Sequence, residues 1–95
     1  MWNSLYTAGE SGPEGGVILR DEEYMNACRI TLERCGTHYA VTCGIYGAFC
    51  HTAYCGDTDH LQKYENMKQE LQAFLRRDTT AEDEIVFYES FAAKY

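Results

Sequence analysis

Basic residues are scarce in this sequence. Eight Lys and Arg stand against fifteen Asp and Glu, which gives a formal net charge of −7, and the longest basic run is the pair Arg76-Arg77. Because binding to a nucleic-acid backbone needs a positively charged face, we expect no nucleic-acid partner. The acidity is typical of a surface that confers solubility, and it also fits an acidic inhibitor that blocks a basic protein.

Long apolar runs are absent as well. No segment approaches the roughly twenty apolar residues that span a bilayer, and the opening letters MWNSLY lack the cationic start and apolar core of a signal peptide. We therefore expect a cytoplasmic protein with no membrane partner. In that reducing compartment the five cysteines are expected to be free thiols, and their odd number agrees with this expectation.

Proline is almost absent, and the single one lies in the segment GESGPEGG, residues 9–16, together with four glycines. This composition is typical of a flexible segment, so residues 1–15 are predicted to form an N-terminal arm. The remainder, residues 16–95, is long enough for one hydrophobic core and too short for two. Eight tyrosines in so small a chain are consistent with contact with a second copy, because tyrosine is enriched at protein interfaces, and equally with residues at the rim of a small core that bury the ring and keep the hydroxyl in water.

What the sequence does contain is alternation. The letters CRITLE, which begin at Cys28, alternate apolar and polar residues with the period of a half-buried strand. The letters HYAVTCGIY repeat this pattern from His38, and Gly36-Thr37 between them places glycine first, as in a type II′ hairpin turn. Pairing Cys35 with His38 then sets apolar residues opposite one another. The predicted pairs are Leu32 with Val41, Ile30 with Cys43 and Cys28 with Ile45.

A helix over residues 21–35 is the alternative for the first of these segments, because acids stand at its front and arginines near its end. The clean alternation and the β-branched residues favour the strand. Upstream, the letters GVILRDEEY predict a fourth strand, joined through Met25-Asn26, and its charged run predicts either an edge strand or a partly irregular element.

A second glycine-first turn, Gly47-Ala48, is predicted to fold the chain back after the second strand. Pairing Tyr46 with Phe49 sets Cys43 opposite Thr52 and continues the apolar face. In this register Cys50 lies in the core and His51 on the opposite face. Cys28 and Cys43 are predicted to be core residues too, whereas Cys35 and Cys55 are predicted to be the more exposed pair.

Two helices are predicted after the strands. The first carries an apolar stripe at helical spacing, and the residues before it, Asp57, Thr58 and Asp59, are possible N-terminal capping residues. The second begins with Thr79 and Glu82 in capping-box spacing, although a strand over residues 84–91 is an alternative. The fold class is therefore α+β, an antiparallel meander of three to four strands followed by two C-terminal helices packed on one face. The stripes are Leu61, Tyr64, Met67, Leu71, Phe74 and Leu75, then Ile85, Tyr88, Phe91, Ala92 and Tyr95.

The predicted register leaves a candidate ligand site on the sheet face away from the helices. Arg29, Gly44 and His51 form one row across three strands, with Thr42 and Tyr46 beside it. Two basic side chains would then flank a hollow above glycine that could hold a carboxylate or a phosphate. Alternatively, Arg29 pairs with Glu22 or Glu23 of the preceding strand, His51 is a structural histidine with its hydrogen bonds satisfied, and a second subunit covers the face.

Other chemistry is poorly supported. No Cys-x-x-Cys pair occurs, so no metal and no cofactor are expected, unless residues 50–60 are helical and bring His51 and Cys55 together. Phosphate-binding glycine motifs and serine elbows are absent. We therefore expect a non-enzymatic interaction domain that acts as a homodimer through its open sheet face, or binds a small anion or a protein there. The alternative is a small enzyme with His51 as base beside a cysteine or tyrosine.

Overall fold

A computed structural model describes all 95 residues and contains one five-stranded antiparallel sheet followed by two helices. The strands lie side by side in chain order, so the predicted α+β meander with two C-terminal helices is confirmed, with one strand more than expected. The elements are β1 Trp2–Ser4, β2 Val17–Tyr24, β3 Cys28–Cys35, β4 His38–Ile45, β5 Phe49–Cys55, α1 His60–Leu75 and α2 Ala81–Lys94.

The hairpin of β3 and β4 has the predicted register. Cys35 pairs with His38, and the apolar pairs follow as expected up to Cys28 with Ile45. Gly36 has a φ of 64°, which the first position of a type II′ turn requires and which glycine adopts without strain. The helical alternative over residues 21–35 is wrong, because this segment supplies the paired strands β2 and β3.

The hairpin of β4 and β5 has a different register from the predicted one. Its loop has three residues, and Ile45 pairs with Phe49 instead of Cys50. Ala48 N–H donates to the Ile45 carbonyl at 3.0 Å, and Gly47 with a φ of 76° occupies the position where a type II turn needs glycine. Because side chains alternate along a strand, this one-residue shift moves every β5 side chain to the opposite face.

The placement of four cysteines follows from these registers. Cys28 and Cys43 are buried as predicted, but the predictions for Cys50 and Cys55 are wrong: Cys50 is exposed on the open face, and Cys55 is buried under the helices. Both predictions failed for the same reason: the observed β5 register places each side chain on the face opposite to the predicted one.

Strand β2 is the predicted fourth strand, and Met25 and Asn26 form its turn to β3 with φ values of 55° and 53°. It is not the edge of the sheet, because β1 pairs with it and sets Trp2 opposite Tyr24. The Trp2 indole N–H also donates to the Gln72 side chain of α1 at 2.9 Å. The division of the chain at residue 15 into a flexible arm and a domain stays a prediction.

The helices cover one face of the sheet. The buried residues of α1 are Tyr64, Met67, Leu71 and Phe74, whereas α2 fully buries only Phe91. Residues 84–91 belong to helix α2, so the strand alternative for them is wrong. Leu61 and Ile85, which belong to the predicted apolar stripes, are exposed. Neither helix is long and apolar enough to cross a membrane.

The helix N-termini differ in their capping. The capping box of α2 lies one residue beyond the predicted one: the Thr80 hydroxyl accepts from Asp83 N–H, and the Asp83 carboxylate accepts from Thr80 N–H, both at 3.1 Å. At α1 the N-cap is Asp59, one of the three predicted candidates, but its carboxylate accepts from Gly56 N–H before the helix instead of from the first turn.

Candidate functional site

The open face, meaning the sheet surface opposite the helices, carries a buried carboxylate at its centre. Asp21 Oδ1 and Oδ2 accept from Arg29 Nε at 2.9 Å and Nη2 at 2.5 Å. The hydroxyls of Thr7 and Thr31 donate to the same carboxylate at 2.6 and 3.0 Å. Arg29 therefore has an acidic partner on β2, but the predicted partners Glu22 and Glu23 are wrong, because the partner is Asp21.

These contacts determine the charge of the site. Burial alone would raise the pKa of Asp21, but the hydrogen bonds from Arg29, Thr7 and Thr31 and the Arg29 charge outweigh it, so the pKa lies below its ordinary value. Asp21 is thus an anion that neutralises Arg29. The Arg29 side chain remains 45% exposed, and only two of the five guanidinium N–H donors bond Asp21.

A cavity of about 410 Å³ opens on this face above Gly44. Four of the five predicted site residues line it together, namely Arg29, Thr42, Gly44 and Tyr46. Their binding of a ligand stays a prediction. The remaining lining comes from Ser11, Gly12, Pro13, Ile18, Thr31, Cys43 and Cys50.

The Tyr46 hydroxyl at this cavity already has a partner. It donates to Glu23 Oε2 at 2.6 Å, and burial together with this hydrogen bond raises the pKa of Tyr46 to about 12. Two side chains of the cavity lining, Arg29 and Tyr46, are therefore each bonded to a carboxylate outside the lining, Asp21 and Glu23 respectively. This arrangement is less favourable to a free anion than the predicted pair of basic side chains.

His51, the fifth predicted site residue, does not lie at the cavity. Because of the β5 register it faces the helices, where its ring packs edge-on against Phe91 at 6.1 Å and lies parallel to Phe49 at 6.5 Å. Its Nε2 is buried without a hydrogen-bond partner. Cys50 occupies the predicted place of His51 beside Gly44, so the imidazole and this thiol lie on opposite faces and cannot act as a base and nucleophile pair.

The most buried charged group on the open face is Glu33, which is 0% exposed. Its carboxylate accepts from Gly16 N–H at 2.9 Å and from Glu14 N–H at 3.1 and 3.2 Å. The loop approaches so closely that a Cβ at Gly12 would lie 2.7 Å from Glu33 Oε1. This carboxylate therefore holds residues 12–16 against the sheet.

Sequence reasoning missed Glu33 because alternation alone assigns it to the polar, solvent-facing side of β3. The available signal was the glycines themselves. A Cβ at Gly16 would lie 2.5 Å from the Arg34 carbonyl oxygen, so glycine here permits close approach of two backbones. The same composition also describes a flexible linker, and the sequence has no feature that separates the two.

Burial favours the protonated thiol over the thiolate at four of the five cysteines. Burial raises the pKa of Cys28 to about 11 and that of Cys43 to about 12, and burial also raises the pKa values of Cys35 and Cys55. Cys50 is the exposed thiol. No group of three or more His, Cys, Asp or Glu side chains is arranged to hold a metal ion.

A second surface lies at the free edge of the sheet. Strand β5 has no neighbour on its outer side, and its seven residues, FCHTAYC, include neither a charged residue nor proline. Natural proteins usually protect such edges with charges, prolines, bulges or a covering segment. Tyr54 on this strand is 59% exposed.

Comparison of the chain with protein-family models, with curated proteins and with solved structures found no match.

Proposed function

We propose that this protein is a non-enzymatic interaction domain that acts as a homodimer in the cytoplasm, with the β5 edge as its contact. The observation that carries the proposal is the unprotected edge itself. An uncharged strand with free backbone groups is a template for pairing with another strand. The opposite edge, β1, has only three residues and offers a much shorter template.

The edge is favoured over the open face that the sequence predicted as the contact. Part of that face is already covered by loop residues 12–16, which Glu33 holds in place. The face also carries Asp21 with its bonds satisfied internally. A partner there would have to displace existing contacts, whereas pairing at β5 would add hydrogen bonds to groups that have no protein partner.

Helix α2 gives independent support. It buries a single residue completely, and its Ile85 is 55% exposed although Tyr88, three residues later, stacks on Phe49 at the start of β5. Residues three or four apart share a helix side, so the apolar side of α2 continues outward next to the β5 edge. A helix this poorly covered is typical of a surface that a partner buries.

The test is the oligomeric state of the untagged protein, measured by native mass spectrometry and sedimentation at high micromolar concentration. We expect a dimer for the wild type. Thr52→Pro should give a monomer, because proline removes a backbone N–H that points away from β4. Thr52→Ala is the matched control, since it removes the same hydroxyl and keeps the N–H, and it should remain dimeric.

A wild-type protein that stays monomeric would overturn the proposal. Circular dichroism of each variant verifies that the sheet is intact, and a folded Thr52→Pro protein that still dimerises would show that β5 is not the contact.

The cavity above Gly44 supports a second candidate function, the binding of a small ligand that accepts hydrogen bonds from the free N–H groups of Arg29. Because Asp21 and Glu23 balance the guanidinium charge, a singly charged planar carboxylate fits better than a multiply charged phosphate. Thermal-shift titrations with benzoate and with inorganic phosphate test this. Gly44→Ala fills the hollow and should abolish a benzoate-induced shift, while a wild-type protein that neither compound stabilises would count against a ligand of this class.

A further inference from the structure

The backbone of β5 has a defined outward side. The two-residue turn of the first hairpin makes Cys35 and His38 a hydrogen-bonded pair, and such pairs alternate along antiparallel strands. Even-numbered residues of β4 therefore bond β3, and its odd-numbered residues bond β5. The β5 partners of those odd-numbered residues are Phe49, His51, Ala53 and Cys55. The N–H and C=O groups of Cys50, Thr52 and Tyr54 consequently point away from the sheet.

This pattern is symmetric about Thr52. From it we infer that two copies of this chain pair their β5 strands antiparallel around a two-fold axis at Thr52, forming one continuous sheet with five strands from each copy. The inference rests on the proposed homodimer and specifies its geometry. Thr52 then faces Thr52 of the second copy, and Cys50 faces Tyr54 of the second copy on either side of the axis.

A two-fold axis at Thr52 gives the register in which the outward N–H and C=O groups of Cys50, Thr52 and Tyr54 all find a partner in the second copy. Each of the three facing pairs exchanges two N–H···O=C bonds. Moving the axis by one residue in either direction leaves an outward residue of β5, Tyr54 or Cys50, without a β5 partner in the second copy. All three pairs are uncharged, which matters because each copy carries a net charge of −7 and like charges directly opposite one another destabilise strand pairs.

Helix α2 would contribute the second layer of this interface. Its contacts with α1 come from Phe87, which stacks on Phe74 at 4.0 Å, and from Lys94, which bonds Glu70 at 2.9 Å. Ile85 and Ala92 lie on the opposite flank of the helix, and both are exposed. Around the proposed axis, this flank of one copy meets the same flank of the other.

The dimensions of the edge limit the area that β5 alone can bury. Seven residues of strand extend about 23 Å at roughly 3.3 Å per residue, and the smallest extent of the molecule is 20 Å. An edge of these dimensions covers about 460 Å², less than the roughly 600 Å² per partner at the lower end of specific interfaces. The strand alone would be too narrow, so the flank of α2 has to take part.

A second copy is a better occupant than an unrelated peptide for two reasons. First, the outward N–H and C=O groups of β5 are arranged symmetrically about Thr52, so they can pair with the same groups of a second copy. Second, a second copy places another α2 helix opposite the apolar flank of α2, whereas an extended peptide has no helix to place there. Since both copies are acidic, their association should strengthen as salt screens the repulsion between them.

Disulfide trapping tests the geometry. Facing residues of a hydrogen-bonded antiparallel pair have Cα atoms about 5.5 Å apart, within the range of roughly 4.4–6.8 Å that a disulfide spans. Oxidised glutathione is added to Thr52→Cys in a Cys50→Ser background, and non-reducing electrophoresis should show a covalent dimer. The Cys50→Ser parent controls for the remaining thiols and should stay unlinked.

Tyr54 supplies a matched control for the register. Tyr54→Cys with native Cys50 should also form the covalent dimer, because these two positions face each other across the axis. Tyr54→Cys combined with Cys50→Ser should not, because position 54 does not face itself. Linkage in both Tyr54→Cys proteins would indicate a different register and would overturn the Thr52 axis.

The outcomes separate the two proposals. If native mass spectrometry shows a dimer but Thr52→Cys in the Cys50→Ser background does not link, the homodimer stands and the β5 pairing is wrong. If the wild type is monomeric and no variant links, both proposals fail.

Discussion

Replacing Glu33 by glutamine should loosen the glycine loop from the sheet. The carboxylate of Glu33 is fully buried and accepts hydrogen bonds from two backbone N–H groups, those of Glu14 and Gly16. A glutamine side chain keeps the shape but has one acceptor oxygen and one donor NH₂ group. With its oxygen in the place of Oε1, glutamine would still accept from both N–H groups, but as a neutral acceptor, and its NH₂ group would replace Oε2, which lies 3.2 Å from Glu14 N.

The magnitude follows from the bonds that are weakened. A hydrogen bond to a charged group contributes about 1.5–3 kcal/mol and one to a neutral group about 0.5–1.5 kcal/mol, so the two bonds together lose about 2–3 kcal/mol when the charge is removed. Because removing the charge also relieves part of the cost of its burial, we expect Glu33→Gln to lower the free energy of unfolding by about 2 kcal/mol. At roughly 4–8 °C per kcal/mol for a domain of this size, the Tm should fall by about 10 °C.

Two measurements test this reasoning together. Urea denaturation followed by circular dichroism gives the change in the free energy of unfolding. Hydrogen exchange of the Glu14 and Gly16 amides should accelerate more in Glu33→Gln than that of the β3 and β4 amides, whose exchange accelerates only by the loss of global stability. Glu10→Gln is the matched control, because it makes the same chemical change on an exposed side chain of the same loop. Wild-type stability together with protected amides at positions 14 and 16 would refute the role given to Glu33.

Three further predictions concern the two faces of the sheet. Because the folded pKa of Asp21 lies below its ordinary value, Asp21 contributes stability above about pH 4 that is lost as pH falls through the folded pKa. When the free energy of unfolding is measured against pH, Asp21→Asn should be less stable than the wild type at neutral pH and should lose less stability on acidification. Equal slopes of the free energy of unfolding against pH in the two proteins would contradict this. Iodoacetamide should modify Cys50 first among the five thiols of the folded protein, because Cys50 is exposed; mass spectrometry checks this, Cys50→Ser should lose the rapid modification, and rapid labelling of a buried thiol would contradict the cysteine placement. His51→Phe should raise the free energy of unfolding by about 1 kcal/mol, because it removes an imidazole nitrogen that has no partner; a lower free energy of unfolding, measured by urea denaturation, would contradict this prediction.

The two hairpins show what limits prediction from this sequence. In β3 and β4 the turn residues Gly36-Thr37 and the apolar pattern agree, so only one register satisfies both. In β5 both alternating sets of residues mix apolar and polar side chains, with His51 in one set and Thr52 in the other, so the pattern alone does not choose between the two faces. The register then depends on loop length, and glycine at position 47 fits both a two-residue and a three-residue loop.

The prediction of the candidate site depends on the same two registers. Arg29, Thr42, Gly44 and Tyr46 precede β5 or belong to its loop, and the structure brings them to one cavity as predicted. His51 alone depended on the second register, and it lies on the other face. The partner of Arg29 was predicted by type but not by residue, because the position of Asp21 opposite Thr31 depends on a β2 register with a bulge between Ile18 and Arg20.

The docking of residues 12–16 on Glu33 has a consequence for the order of folding. The meander is built from contacts between neighbours in the chain, which close short loops at low entropic cost. The Glu33 contacts join residues seventeen to nineteen positions apart and become possible only once β3 provides a platform. The contacts of the glycine loop should therefore not yet be formed in the folding transition state. They should slow the unfolding of the native protein and have little effect on the rate of folding.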